Sequence, residues 1–202
     1  MHQKPGLVFI FLLLGFILRS QTAETFFANG ASRGLEEDYQ GAIESFSRAI
    51  ELKPNFEEAI YYRGLCYFRQ KKYKPAIADF DKVLNLNIQN VNAFNYRALS
   101  KYYLGNYKGA LADISDAILL KNKDAMLYYN KGLISYGSGE YLQAIDDFSK
   151  SIELDPQQPN AYYKRGVTNY ITGYKAAACA DLEKSVSLGN QEAYDIIRLY
   201  CR

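Results

Sequence analysis

The chain has 202 residues, 49% of them apolar and 23% charged, with a formal charge of +2. This is the composition of a folded chain, not a disordered one. So small a charge argues against a phosphate-seeking surface, and with it against nucleic acid as the main partner.

The first residues differ from the rest. "MHQKPG" carries a basic residue, Leu7 to Leu18 is an unbroken apolar run, and "RSQTAE" returns to small and polar residues. A bilayer span needs about 20 apolar residues and a signal h-region only about 7–15. Residues 1–22 therefore read as a signal peptide cleaved near 20–23, with Ala23 a suitable small residue at the cut. The alternative is an uncleaved signal anchor, in which case this segment alone touches the membrane. No cysteine follows the run, the first being Cys66, so a lipoprotein is excluded. Cleavage removes two of the 24 basic residues and none of the 22 acidic ones, leaving a formally neutral chain without histidine, since His2 is the only one. The expected location is outside the cytoplasm, periplasmic or secreted.

From residue 23 the chain repeats every 34 residues without insertion, in units 23–56, 57–90, 91–124, 125–158 and 159–192. One column reads Gly30, Gly64, Ala98, Gly132, Gly166 and a second Ala42, Ala76, Ala110, Ala144, Ala178. A third is Phe46, Phe80, Ile114, Phe148, Leu182 and a fourth Leu52, Leu86, Leu120, Leu154, Leu188. A period of this size means stacked repeats. Within a unit the apolar spacing is helical twice over, as in Ile60, Gly64 and Tyr67, then Ala76, Ile77, Phe80, Val83 and Leu84. Gly105 and Gly139 supply permissive backbone between the two helices, and Pro54 and Pro156 break the second one. Each unit is a helical hairpin. Helices crossing at about 8–10 Å need small residues at the contact, so Gly64 and Ala76 are expected to meet, with the Phe46 column filling the space beside them.

This pattern resembles the tetratricopeptide repeat over essentially the whole chain after residue 22. The matching positions are the Gly/Ala column, Tyr39, Tyr73, Tyr107 and Tyr141, the invariant Ala column, the Phe/Ile/Leu column, and Pro54 and Pro156. Proline is missing at Ile88 and Asn122, and Tyr174 comes one place early. The resemblance implies an all-α, right-handed superhelical solenoid of five hairpins, with first helices lining a concave groove and second helices forming the outer wall. Residues 193–202 then read as a capping helix.

Arg63, Arg97, Lys131 and Arg165 stand where the general repeat pattern has an apolar residue. Asp79, Asp113, Asp147 and Asp181 form a column on the second helices, and the first copy lacks both charges, with Asn29 and Ser45. Two readings stand: a partly exposed ion pair in each hairpin, worth about 0–1 kcal/mol, or a basic ladder for an acidic ligand.

Catalytic chemistry is not expected. Loss of the sole histidine removes most hydrolase triads and the usual zinc sites, and no phosphate-binding glycine motif or nucleophile elbow occurs. The three cysteines are too scattered for a metal site, and neither metal nor cofactor is implied. Cys179 and Cys201 lie on the last hairpin and the capping helix, elements that should pack together. In an oxidising compartment they would bridge, closing a loop worth about 3 kcal/mol; otherwise they are two small buried thiols.

By the resemblance, the groove carries Tyr61, Leu65, Phe68 and Arg69 and their equivalents, among them Asn95, Tyr102, Tyr103, Tyr129, Tyr136, Tyr163 and Tyr170. The tyrosines are expected to be exposed, because a phenol suits a wet interface. The lysine and asparagine clamp of relatives that hold a chaperone's C-terminal carboxylate is absent. The function expected is a non-catalytic scaffold or adaptor binding a protein or peptide segment in the groove. The alternatives are a small ligand or glycan stacking on the groove tyrosines, and a structural subunit that self-associates through Phe26, Phe27 and the open first hairpin.

Overall fold

The computed structural model describes residues 22–201, so the signal segment read over 1–22 lies, Thr22 apart, outside the described residues. Eleven α-helices and no strand occur among the described residues. In chain order they are α1 (Ala23–Leu35), α2 (Tyr39–Leu52), α3 (Glu57–Arg69), α4 (Tyr73–Leu86), α5 (Val91–Tyr103), α6 (Tyr107–Leu120), α7 (Ala125–Gly137), α8 (Tyr141–Leu154), α9 (Pro159–Ile171), α10 (Lys175–Ser187) and α11 (Glu192–Tyr200). They pair into five antiparallel hairpins, and α11 packs on α10 at the end. The architecture is an all-α helical solenoid.

Local chemistry sets the helix ends. Thr22, Asp38, Asn90, Asn106 and Asp124 accept a hydrogen bond from a backbone N–H of the following first turn, satisfying a donor that has no partner inside the helix. The second helices end at Leu86 and Leu120 although proline is missing beyond them; after α4, Asn87 turns the chain by accepting from the Gln89 N–H. Tyr174, the tyrosine that comes one place early, stands just before α10, which is one residue shorter than the other second helices.

The turn inside every hairpin uses a left-handed residue at the same place in the repeat: Glu37, Lys71, Gly105, Gly139 and Gly173, with φ between 59° and 88°. Three copies use glycine there, which accepts this backbone without a Cβ penalty, and two bear the cost.

The small column lies close against the large one. A Cβ on Gly30, Gly64 or Gly132 would lie 2.7, 3.0 or 2.6 Å from the ring of Phe46, Phe80 or Phe148. The aromatic of the same hairpin therefore fills the space beside the glycine, as expected, and in the fifth hairpin Gly166 lies against both Leu182 and the Ala178 carbonyl. Ala98, the one non-glycine, belongs to the hairpin where the aromatic is replaced by Ile114, whose narrower side chain leaves room for a methyl. The alanine column itself is fully buried in all five copies.

Successive first helices (α1, α3, α5, α7, α9) touch one another, while successive second helices do not approach as closely. This asymmetry curves the stack and puts the first helices on its inner side.

Candidate functional site

On the inner face, aromatic rings form a continuous run. Tyr61 packs against Tyr62, Phe80 and Tyr96 at centroid distances of 5.3, 6.1 and 6.5 Å. Phe68 meets Tyr96 and Tyr73, and Tyr73 stacks on Tyr103 at 4.8 Å. Tyr103 adjoins Tyr102, which reaches Tyr107. The expected exposure of these tyrosines needs correction. Tyr61 and Tyr102 are half-buried and pack on the hydrophobic core beside Phe68 and Leu65, and Tyr129, half-buried too, lies 5.8 Å from the Phe148 ring. Only Tyr103 and Tyr170 of the predicted tyrosines are exposed, and Tyr170 lies under Tyr200 of α11 at 4.9 Å. Arg69 is exposed and forms no ion pair among the described residues.

The hydroxyls are another matter. No tyrosine O–H makes a hydrogen bond to another protein group among the described residues, and none is a buried atom lacking a partner. The rings of Tyr61, Tyr102 and Tyr129 are therefore held by the core while their polar tips reach the surface. Burial pushes the phenols of Tyr61, Tyr102, Tyr129 and Tyr163 above their ordinary range. Tyr102 and Tyr103 add to the effect at Tyr129, and Tyr136 at Tyr102 and Tyr163, so these five phenols lie within electrostatic reach of one another along the first helices; Glu192 of α11 acts on Tyr129 and Tyr163 in the same direction. Asn95, at the equivalent place on α5, accepts a 2.8 Å hydrogen bond from Asn130 of α7 and so ties two hairpins together.

The charged columns do not offer a basic ladder to the groove. Arg63, Arg97 and Arg165 each grip the aspartate of their own hairpin through two N–H groups, at 2.7–2.9 Å, and Lys131 meets Asp147 at 2.8 Å. The aspartates are buried, at 3–7% exposure, so the expectation of partly exposed pairs is corrected. The hydrogen bonds that Arg63 donates to Asp79 raise its pKa; at Arg97 burial opposes the charge, but Asp113 and Asp81 outweigh it.

Sequence reasoning missed the third arm. Nη1 of each arginine reaches back to the preceding hairpin: Arg63 donates to Ser47, Arg97 to Asp81 and Arg165 to Ser149, at 3.1, 2.6 and 3.0 Å. The signal was present as one more 34-residue column of small polar residues. Lys131 has no fork to span both partners, and there Ser135 and Gln143 complete the shell of Asp147. Lys101 and Asn169 likewise reach Asp113 and Asp181.

At the first hairpin, Asn29 and Ser45 line an open niche of about 470 Å³ with Phe26, Ser32 and Arg33. Phe27 does not belong to it. It packs among Phe46, Phe56 and Tyr62 and is half-buried. At the other end Cys179 and Cys201 form a disulfide that fastens α11 to α10, while Cys66 is buried and free, its thiol pushed up to about 11 by burial. Among the described residues no cluster of His, Cys, Asp or Glu fits a metal ion, and no helix is long and apolar enough to cross a membrane.

Residues 36–117 match the family model of the anaphase-promoting complex, cyclosome, subunit 3, and residues 132–173 match a TPR repeat model. Comparison with curated proteins finds no match. Among solved structures, MamA from Desulfovibrio magneticus RS-1 has a TM-score of 0.77 at 22% identity, over 82% of this chain and 94% of that one. YrrB, a TPR protein with an unusual peptide-binding site, has a TM-score of 0.70 at 21% identity, over 90% and 94%. A chain of the APC/C hetero-tetramer Cut9–Hcn1 has 0.75 at 16%, over 96% of this chain and 39% of that one. The repeat matches and these likenesses support the tetratricopeptide assignment and the solenoid fold.

Proposed function

We propose that this chain is a non-catalytic interaction scaffold that binds an extended or helical protein segment along its inner face. The observation that carries this reading is the cluster of Tyr102, Tyr103, Tyr129, Tyr136 and Tyr163. Tyr102 is anchored on the core, Tyr103 stacks on Tyr73, Tyr129 packs on Phe148 and Tyr136 on Tyr141, and none of the five hydroxyls has a protein partner. Anchored rings lose little side-chain freedom on binding, and their free hydroxyls can pair with a peptide backbone. YrrB, which shares the fold, is itself described as having a peptide-binding site. We place the protein outside the cytoplasm, a reading supported by the apolar run of residues 7–18 and by the Cys179–Cys201 bridge.

The test is selection from a random peptide library with the chain from Gln21 onward, beside a variant with Tyr102, Tyr129 and Tyr163 changed to Phe. The rings and the fold survive this change while three hydroxyls are lost. Peptides retained by the wild type and weakened about tenfold or more by the variant support the groove, each lost hydrogen bond contributing roughly 0.5–1.5 kcal/mol. Equal retention by both moves the site elsewhere on the solenoid.

A further inference from the structure

The second and third hairpins each carry a niche at the same place in the repeat, between the loop entering the hairpin, its first helix and the last turns of its second helix. In the second hairpin it is lined by Pro54, Ile60, Lys82, Asn85 and Leu86, and in the third by Ile88, Phe94, Asp116, Leu119 and Leu120, one 34-residue step away throughout. The copies are internal controls for one another, and the third departs from the rest in a consistent direction.

The position held by Asp116 is basic in every other hairpin: Arg48, Lys82, Lys150 and Lys184. The position held by Leu119 is polar in every other hairpin: Glu51, Asn85, Glu153 and Ser187. In the first and fourth copies these two positions pair as Arg48–Glu51 and Lys150–Glu153 salt bridges across the rim. In the third the pair is Asp116 and Leu119. Asp116 is exposed and makes no salt bridge or side-chain hydrogen bond among the described residues, and Leu119 is 81% exposed. Ile88, where the repeat pattern has proline, adds a further exposed aliphatic group at 67%. A lone apolar surface residue needs no explanation, but a contiguous niche of about 270 Å³, altered at three positions by the loss of polar groups or of proline and by a reversal of charge, does.

We infer that this niche on the third hairpin is a second docking site, separate from the inner face, for an amphipathic helix of a partner protein. Such a helix inserts an aliphatic side chain between Ile88, Leu119 and Leu120 and sets an arginine or lysine against Asp116. The charge selects the occupant. A carboxylate in a column that is otherwise cationic repels anionic lipid and acidic segments and pairs with a basic one.

The test uses 14-residue amphipathic peptides with a leucine stripe at helical spacing and one residue, Arg or Glu, walked through the polar flank. Binding is followed by fluorescence polarisation with the purified protein, with Asp116→Lys and with Leu119→Glu. Both changes are at exposed positions, and thermal melts check that each variant keeps its fold. At least one Arg peptide binds the wild type about three- to tenfold tighter than its Glu counterpart, the scale of one solvent-exposed ion pair. Asp116→Lys inverts that preference, Leu119→Glu weakens both peptides about tenfold, and the three-fold Tyr→Phe variant of the inner face changes neither. The inference is overturned if no peptide binds the wild type below a Kd of about 1 mM, if Leu119→Glu binds equally well, or if the preference survives Asp116→Lys. It also fails if the wild type sediments as a dimer that Leu119→Glu dissociates, since a second copy would then be the occupant.

Discussion

Gly132 and Phe148 meet across one hairpin so closely that a single methyl decides whether the two helices can approach. A Cβ on Gly132 would lie 2.6 Å from the ring edge of Phe148, and that ring is fully buried with nowhere to move. Gly132→Ala is expected to destabilise by about 1–3 kcal/mol through overpacking, even though alanine is the better helix former by about 1 kcal/mol. The third hairpin shows the cure in Ala98 and Ile114. Adding Phe148→Ile to Gly132→Ala should therefore cost less than the sum of the two single changes, by at least about 1 kcal/mol, in a double-mutant cycle read by urea unfolding. Additive costs would mean that the ring, not the glycine, is what the hairpin needs. The glycine column was plain in the sequence at a strict period. How closely each glycine approaches its aromatic was not, because periodicity shows which residues are equivalent and leaves open the distances between them.

Between elements, the arginine column does more than close a hairpin. Arg63 joins Asp79 on α4 and Ser47 on α2, so one guanidinium spans three helices, and Arg97 and Arg165 do the same one and three repeats further on. Removing it leaves Asp79 buried without its cation, a situation that typically costs about 3–5 kcal/mol. Arg63→Ala should lose stability on that scale, and Arg63→Ala with Asp79→Ala should recover much of it, because the double change buries no charge. Chemical denaturation of the two variants checks this. Equal losses would return the pair to the small worth of an exposed bridge. The two charged columns and their joint absence from the first copy were legible in the sequence. The burial of the aspartates was not, since it depends on how closely α4 and its neighbours pack around Asp79.

At the scale of the whole molecule, a stack without histidine among its described residues has little to titrate between pH 6 and 9 and carries its pH sensitivity at the alkaline end. The folded state holds the protons of Tyr61, Tyr102, Tyr129 and Tyr163 more tightly than an unfolded chain does. Below pH 10 these phenols are protonated in both states and stability is flat on their account. Above pH 10 the unfolded chain releases protons first, so stability falls as pH rises toward the raised folded values. Urea unfolding between pH 8 and 11.5 should show this decline, and Tyr61→Phe with Tyr129→Phe should make it shallower. A decline unchanged by those substitutions would assign it to the lysines instead. Tyr61 leads because burial dominates its shift, with Tyr96 and Tyr62 adding to it.

The 34-residue period determined by itself the number of hairpins, the helix faces and the small-against-large columns, because helix geometry is local and equivalent positions in a stack meet equivalent surroundings. Which tyrosines keep their rings in the core, which partner each arginine finds in the preceding hairpin, and where Ile88 comes to stand beside Leu119 were decided by the tertiary structure. Those outcomes depend on the rotation and spacing of one hairpin against the next, and that geometry arises only when all the side chains at the interface are packed together.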